Sequence, residues 1–357
     1  MTDFNNIIEE ALKKAVYERG HINVLIAGRS GVGKSTLINS VFQGNIAETG
    51  QGRPVTAGTR EYTKEGVPIT IFDTRGLEME EYKSTLDGLK KLVAERCADK
   101  DSDRHIHVAW VCVQEDGRRV EEAEIKLHEM LAEKVPVIGV ITKARADGGF
   151  QKDVKNLLPH VRNVVRVRAI QETFDDGYSI PAIGLKELIE ITSGAIPEGK
   201  RNALAAAQKA DIDYKLAQSR KVIMGAASLA AAAGASPIPF SDAAILAPIQ
   251  IGMLASVSAV FGLELSKAAL GTLVSAALGV SGATLLGRTI AVNLLKMIPG
   301  AGTLAGGAIS AATAGALTVT LGEAYSAVLA KLYSDKPDST PAMADIVERL
   351  KDKMRGG

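Results

Sequence analysis

Apolar residues follow two different rhythms along this chain. Up to about residue 200, short β-branched runs at 22–28 (INVLIAG), 67–72 (VPITIF), 106–113 (IHVAWVCV), 136–142 (PVIGVIT) and 163–168 (NVVRVR) are nearly unbroken, as in strands buried on both faces of a parallel sheet. Between them lie segments of helical periodicity at 35–43, 120–134 and 184–193, and an amphipathic helix over 3–19 leads the chain. Alternating strand and helix predicts a doubly wound α/β domain. After a polar joint at 196–201, an Ala-rich helix carrying Lys209, Asp211, Asp213, Lys215, Arg220 and Lys221 opens a second regime. From Val222 to Ala330 the charged residues are Asp242, Glu264, Lys267, Arg288, Lys296 and Glu323, six in 109. The expected organisation is a helix at 1–19, an α/β domain at 20–196, an all-α Ala/Gly-rich domain at 197–335, and a tail with a short helix at 336–357.

Composition sharpens this picture. Apolar residues make up 46% of the 357 positions but aromatics only 4%, with 35 glycines, so packing relies on close backbone approach. The 42 Lys and Arg against 41 Asp and Glu leave a net charge of +1, which excludes a protein that coats nucleic acid by its overall field. Cys97 and Cys112 are too few for a disulfide framework, and MTDFNNIIEE lacks the profile of a signal peptide. A reducing, cytoplasmic compartment is expected. The two cysteines read as packing residues. His105 and His107 beside Asp103 read as a strand-entry surface, since no third metal-ligand cluster follows, and Glu121, Glu122 and Glu124 as a solvated helix face.

Directly after the first strand stands Gly28-Arg29-Ser30-Gly31-Val32-Gly33-Lys34-Ser35-Thr36, a GxxxxGK[ST] loop between strand and helix. Glycines are needed there because successive backbone N–H groups must aim at phosphate oxygens through dihedrals that a Cβ penalises. Lys34 adds a positive charge near the β and γ phosphates, Ser35 a hydroxyl for Mg²⁺, and the following helix its positive N-terminus. Ile71-Phe72-Asp73-Thr74-Arg75-Gly76, 38 positions beyond Ser35 at Asp73, ends a strand in Asp-x-x-Gly. Asp73 is expected to hold magnesium through water and Gly76 to offer its N–H to the γ-phosphate.

These residues resemble a P-loop GTPase of the translation-factor-like class, within the Era/TrmE/septin-like superfamily of G domains, over about 20–195. The resemblance implies GTP and GDP as ligands, Mg²⁺ as cofactor, and a slow GTPase switch. It implies a switch segment at Gly52-Arg53-Pro54-Val55-Thr56, with Thr56 completing the magnesium shell and Thr59 as the competing choice. Lys34 and Thr56 then carry catalysis. The Thr-Lys-x-Asp element of guanine recognition is matched by Thr142-Lys143, but Arg145 stands where the acid belongs. Either a bulge brings Asp147 to the base, or Asp147 opens the loop Asp147-Gly148-Gly149 and specificity is relaxed to other nucleoside triphosphates. A last contact to the base comes from Val167-Arg168-Ala169-Ile170. Leu77 replaces the polar residue that orients the attacking water, and Gly31 replaces the Asn of potassium-assisted relatives, so catalytic help is expected from elsewhere and potassium activation is not. Septin-like kin dimerise across the nucleotide, which makes Arg119 a candidate residue acting in trans. Ribosome or RNA association follows from kinship alone.

The low-charge block contains uncharged stretches at 243–263, 268–287 and 297–322, each long enough to span hydrocarbon. They are rich in small residues, contain Pro248 and Pro299, and lack aromatic belts. Ser236-Pro237-Ile238-Pro239-Phe240-Ser241-Asp242 resembles the Pro-Ile-Pro-x-x-Asp domain attached to some Era-like GTPases. The block is therefore expected to be a helical bundle that associates conditionally with a membrane when the G domain switches. A membrane-perturbing or pore-like module locked by the G domain is the alternative.

Overall fold

The computed structural model describes residues 2–49, 53–56, 58–74, 82–234, 242–278 and 311–355. Gly52, Gly76, Leu77 and residues 236–241, 279–287 and 297–310 therefore lie outside the described residues. The chain forms two compact units, Gly20–Asp211 and Met1–Arg19 with Ile212–Gly357. Helix α1 (Thr2–Arg19) thus belongs with the C-terminal helices and does not stand as a segment of its own. Residues 197–207 pack with the α/β unit, where Gln43 Nε2 donates to the Ala206 carbonyl at 3.0 Å.

In the α/β unit, strands β1 (Ile22–Ala27), β2 (Arg53–Thr56), β3 (Thr59–Lys64), β4 (Val67–Thr74), β5 (Val108–Gln114), β6 (Val137–Thr142) and β7 (Val164–Arg166) form one sheet in the order β2-β3-β4-β1-β5-β6-β7. Strands β4, β1, β5, β6 and β7 run parallel, while β2 and β3 add an antiparallel edge. The parallel strands are the apolar runs of the sequence, and β1 and β6 are buried at every position. Helices α2 (Lys34–Val41), α3 (Ile46–Thr49), α4 (Tyr82–Cys97), α5 (Glu122–Ala132) and α6 (Phe150–Leu157) intervene between strands. A hairpin of β8 (Glu172–Thr173) and β9 (Ser179–Ile180) precedes α7 (Leu185–Ala195) and α8 (Arg201–Ala207). Trp110 in β5 is fully buried, stacks on Phe42 at 5.6 Å, and donates from its indole nitrogen to Thr192 Oγ1 at 3.1 Å. The sheet is thereby fixed to α7, with its sole tryptophan as the anchor.

Two surface expectations are corrected. His107 is buried, its Nδ1 accepting the Asn23 backbone N–H at 2.9 Å, so it locks the entry of β1 and is no surface group. Glu124 is 2% exposed; its carboxylate accepts the Glu121 N–H at 2.8 Å in a capping box, which starts α5. Among the described residues no group of three or more His, Cys, Asp or Glu side chains is placed to hold a metal.

The second unit joins α1 to α9 (Ile212–Gly234), α10 (Asp242–Phe261), α11 (Lys267–Leu278), α12 (Ala311–Asp335) and α13 (Met343–Arg355). The expected single Ala-rich helix is broken between α8 and α9, where Gln208 Oε1 accepts the Asp211 N–H and its Nε2 donates to the Asp211 carbonyl. Close approach is explicit at Gly322: a Cβ there would sit 2.6 Å from Ile223 Cγ1 and 2.9 Å from Met253 Sδ, so α9, α10 and α12 meet through a missing side chain. Ile346 and Leu350 of α13 are fully buried in the same core, so the C-terminal helix is part of the bundle and not a tail. Among the described residues no helix is long and apolar enough to cross a membrane.

Candidate functional site

In the sheet, β1 lies between β4 and β5, so the chain leaves β1 at the point where strand order reverses, the place where open α/β sheets bind ligands. The loop that leaves it is the glycine-rich segment. Gly28 has φ +151° and Gly33 φ +97°, both favouring glycine; a Cβ on Gly28 would also stand 2.5 Å from the Cys112 carbonyl oxygen. The strand end thus closes on β5, and the loop turns into α2 with Gly33 as its N-cap. Lys34 is buried and folds its ammonium over the loop, donating to the carbonyls of Gly28 at 2.7 Å and Arg29 at 2.9 Å. Ser35 and Thr36, by contrast, are exposed in the first turn, as are Arg29, Ser30 and Gly31, while Val32 is buried. Arg29 pairs with Glu121 at 3.0 Å, and the same carboxylate oxygen takes Arg119 Nε at 2.8 Å.

Asp73, penultimate in β4 and 4% exposed, lies in register with Ile26 of β1 and Arg60 of β3. Its charge and that of Lys34 both reach Cys112, whose thiol is pushed up to about 12 chiefly by burial. The expected switch loop is partly a hairpin instead. Thr56 pairs with Thr59 across the β2–β3 turn, and Thr59 pairs with Thr74, so all three threonines share one face of the sheet while Asp73 lies on the other. Thr59 and Thr74 are buried, and neither Oγ1 has a hydrogen-bond partner among the described residues.

At the ends of β5, β6 and β7 a cavity of about 240 Å³ opens beside Gly33 and Thr36. Thr142, Lys143 and the run Val167-Arg168-Ala169-Ile170 line it, together with Asp116, Arg145 and Glu172. Thr142 is buried and its hydroxyl lies 2.6 Å from the Val32 carbonyl, tying the cavity to the phosphate loop. Asp147 is elsewhere: its oxygens accept the N–H groups of Gly149 at 3.0 Å and Gln151 at 2.9 Å. These bonds, led by that of Gln151, hold its carboxyl below the ordinary range. It binds the first turn of α6, whose N-cap is Gly149, and the bulge that would bring it to a base is not formed. The loop is instead organised by Glu115, a buried residue the sequence reading passed over. Its carboxylate accepts the Ala146 N–H at 2.9 Å, the Arg145 N–H, and Arg166 Nε at 2.8 Å. Arg118, with φ +47°, donates to the carbonyls of Ala146 and Asp147.

A parallel sheet with β1 at the reversal, a glycine loop closing on β5 and a lysine folded over that loop define a P-loop nucleotide-binding domain. Residues 23–143 match the family described as "50S ribosome-binding GTPase", and residues 200–356 match a "Domain of unknown function (DUF697)". The chain is accordingly similar to P-loop GTPases over residues 23–143 and to the DUF697 domain over residues 200–356. Similar curated proteins include "tRNA modification GTPase MnmE" of Desulfotalea psychrophila, 29% identical over 133 residues, 36% of this chain and 26% of that protein. "Ribosome biogenesis GTPase A" of Bacillus licheniformis is 40% identical over 81 residues, 23% of this chain and 28% of that protein. "Septin-14" of Mus musculus is 22% identical over 189 residues, 47% of this chain and 44% of that protein. The chain thus spans less than half the length of each of these relatives.

Proposed function

We propose that this chain is a magnesium-dependent switch that binds and slowly hydrolyses GTP, and whose nucleotide state controls the helical unit. The observation that carries this reading is the Lys34 ammonium held 2.7–2.9 Å from the loop's own carbonyls. A triphosphate offers it full anionic charge in exchange, while the loop's backbone N–H groups and the N-terminus of α2 meet the remaining oxygens. The hydroxyls of Ser35 and Thr56 and the carboxylate of Asp73 form an all-oxygen donor set, which suits a hard cation such as Mg²⁺. When bound, that ion neutralises charge developing on the β- and γ-phosphate oxygens. Thr56 and Asp73 lie on opposite sheet faces, so completing the donor set requires the β2–β3 turn to rearrange, which is the conformational signal. Thr59 remains the competing threonine. Arg29, Glu121 and Arg119 form an ion-pair relay from the phosphate loop to the surface, with Arg119 73% exposed, a suitable place for a second G domain to dock and assist hydrolysis.

Phosphate release from GTP by the full chain tests this. Turnover should require magnesium, vanish in Lys34→Ala, and rise per molecule with protein concentration; flat specific activity removes the dimer. Control of the helical unit is read by hydrogen exchange in α9–α12 with GDP against a non-hydrolysable GTP analogue, and equal protection rejects it. The low charge of 222–330 motivates nucleotide-dependent vesicle flotation as a second readout; dye leakage independent of nucleotide supports the pore-like alternative instead. Action on tRNA or ribosomes belongs to the names of the relatives, and a net charge of +1 lends it no support here.

A further inference from the structure

The cavity beside the phosphate loop poses a chemical problem. If GTP binds as proposed above, the base enters this cavity, since its walls include Gly33 and Thr36 of the loop and first helical turn. Guanine turns two donors, N1–H and N2–H₂, and one acceptor, O6, toward its reader, whereas adenine offers N6–H₂ as donor and N1 as acceptor. Preferring guanine therefore takes a fixed anionic acceptor. Arg145, three residues after Thr142, has only donors and would oppose guanine's donors with its own. Asp147 is engaged by the N–H groups of Gly149 and Gln151.

One carboxylate is brought into the cavity from an element that the Thr-Lys-x-Asp pattern does not contain. Glu172 lies in β8, on the hairpin that follows β7, and lines the cavity. Arg145 grips it in a fork: Nε donates to Oε2 at 2.9 Å and the terminal nitrogen to Oε1. The Arg145 guanidinium also stacks over Phe174 of the same hairpin, 5.7 Å from the ring centroid. Held this way, the carboxyl stays below its ordinary range, the Arg145 hydrogen bond being the main cause. Each carboxylate oxygen still has a second acceptor direction beyond the one used by arginine.

We propose that Glu172, oriented by Arg145, reads the N1–H and N2–H₂ edge of guanine, so that the specificity carboxylate has moved from the β6 loop to the β8–β9 hairpin. Arg145 is then a positioning residue: it neutralises and aims Glu172. The other cavity carboxylate, Asp116, lies in the turn after β5 and accepts from Gln114 Nε2 at 3.3 Å.

The test is titration calorimetry of the full chain with the magnesium complexes of GTP, xanthosine triphosphate and ATP. Wild type should prefer GTP over ATP at least tenfold. Glu172→Gln replaces an acceptor by a donor, and xanthine carries an acceptor, O2, where guanine carries N2–H₂. The variant should lose at least tenfold in the ratio of GTP to xanthosine triphosphate affinity while ATP binding stays constant. Asp147→Asn and Asp116→Asn should leave that ratio unchanged, and Arg145→Ala should weaken GTP yet keep it ahead of xanthosine triphosphate. A ratio is insensitive to uniform loss of folded protein, so a merely structural role for Glu172 would not move it. An unchanged ratio in Glu172→Gln, a shift in Asp116→Asn, or wild-type indifference between GTP and ATP overturns the assignment. Wild type that takes no triphosphate at all overturns the GTP-binding reading beneath it.

Discussion

Lys215 of α9 lends itself to a quantitative test of the helical unit. It is fully buried, its Nζ donates to the Phe261 carbonyl at 3.2 Å, and it lies 5.7 and 6.0 Å from the ring centroids of Tyr333 and Phe261. Burial pushes its ammonium down to about 7 from an ordinary 10.5. The unfolded chain therefore holds this proton up to about pH 10.5, the folded one only up to about pH 7. Stability should rise with pH across that interval and be flat with respect to this group below it. Each pH unit contributes about 1.4 kcal/mol, so near pH 8 neutralising the lysine costs roughly 3 kcal/mol. Lys215→Met keeps most of the stem's packing and removes that cost, at the loss of a hydrogen bond worth about 1 kcal/mol. The variant should be more stable by roughly 2 kcal/mol near pH 8, and the gain should fade toward pH 10. Tyr325 and Tyr333, whose hydroxyls burial pushes up, lose their contribution as pH rises past their unfolded values, so the comparison ends below pH 10. Urea unfolding followed by far-UV circular dichroism measures the difference between variant and wild type. The sole tryptophan, Trp110, lies in the α/β unit and reports that unit separately by fluorescence. A variant less stable than wild type near pH 8, with the same pH slope, would refute the reasoning.

The other consequences are simpler. Thr142→Val removes the hydroxyl that ties the base cavity to the Val32 carbonyl and leaves that carbonyl without this donor; GTP affinity should fall about tenfold by fluorescent-nucleotide titration, about 1.4 kcal/mol, and unchanged affinity contradicts the tie. Cys112, fully buried with its thiol pushed up to about 12, should resist a thiol reagent in the native chain. The half-buried Cys97 should react slowly and both should react in denaturant, so rapid native labelling of two thiols contradicts the packing of Gly28 against β5.

Much of the α/β unit was legible because parallel strands buried on both faces appear as continuous apolar runs, and each run lies within two residues of an observed strand. The antiparallel edge was not legible. Arg53–Thr56 and Thr59–Lys64 are polar segments, and their strand identity comes from pairing, β2 with β3 and β3 with β4. The phosphate loop was legible because its glycines answer a local backbone demand. The base cavity was not, because its ordering groups act across the fold: Glu115 binds the loop at 145–146, 30 residues on, and Arg145 finds Glu172, 27 residues on. Asp147 misled for the same reason. An aspartate two residues before Gly149 binds the N–H groups of a helix start as readily as it meets a ligand, and only the N–H groups of Gly149 and Gln151 decide which. Helix α1 carried an amphipathic pattern but no sign of its partner, which lies more than 200 residues away in the core that holds Ile8, Ile251 and Leu270.

The central claim is that the loop at 28–36 grips a nucleoside triphosphate through backbone N–H groups and the Lys34 ammonium. Titration of GTP into the magnesium-equilibrated full chain, beside Lys34→Ala, tests it most directly. The account predicts one site per chain with saturable heat, weakened at least a hundredfold by the alanine, about 2.7 kcal/mol. Absence of heat with wild type, or equal binding by the two proteins, contradicts it.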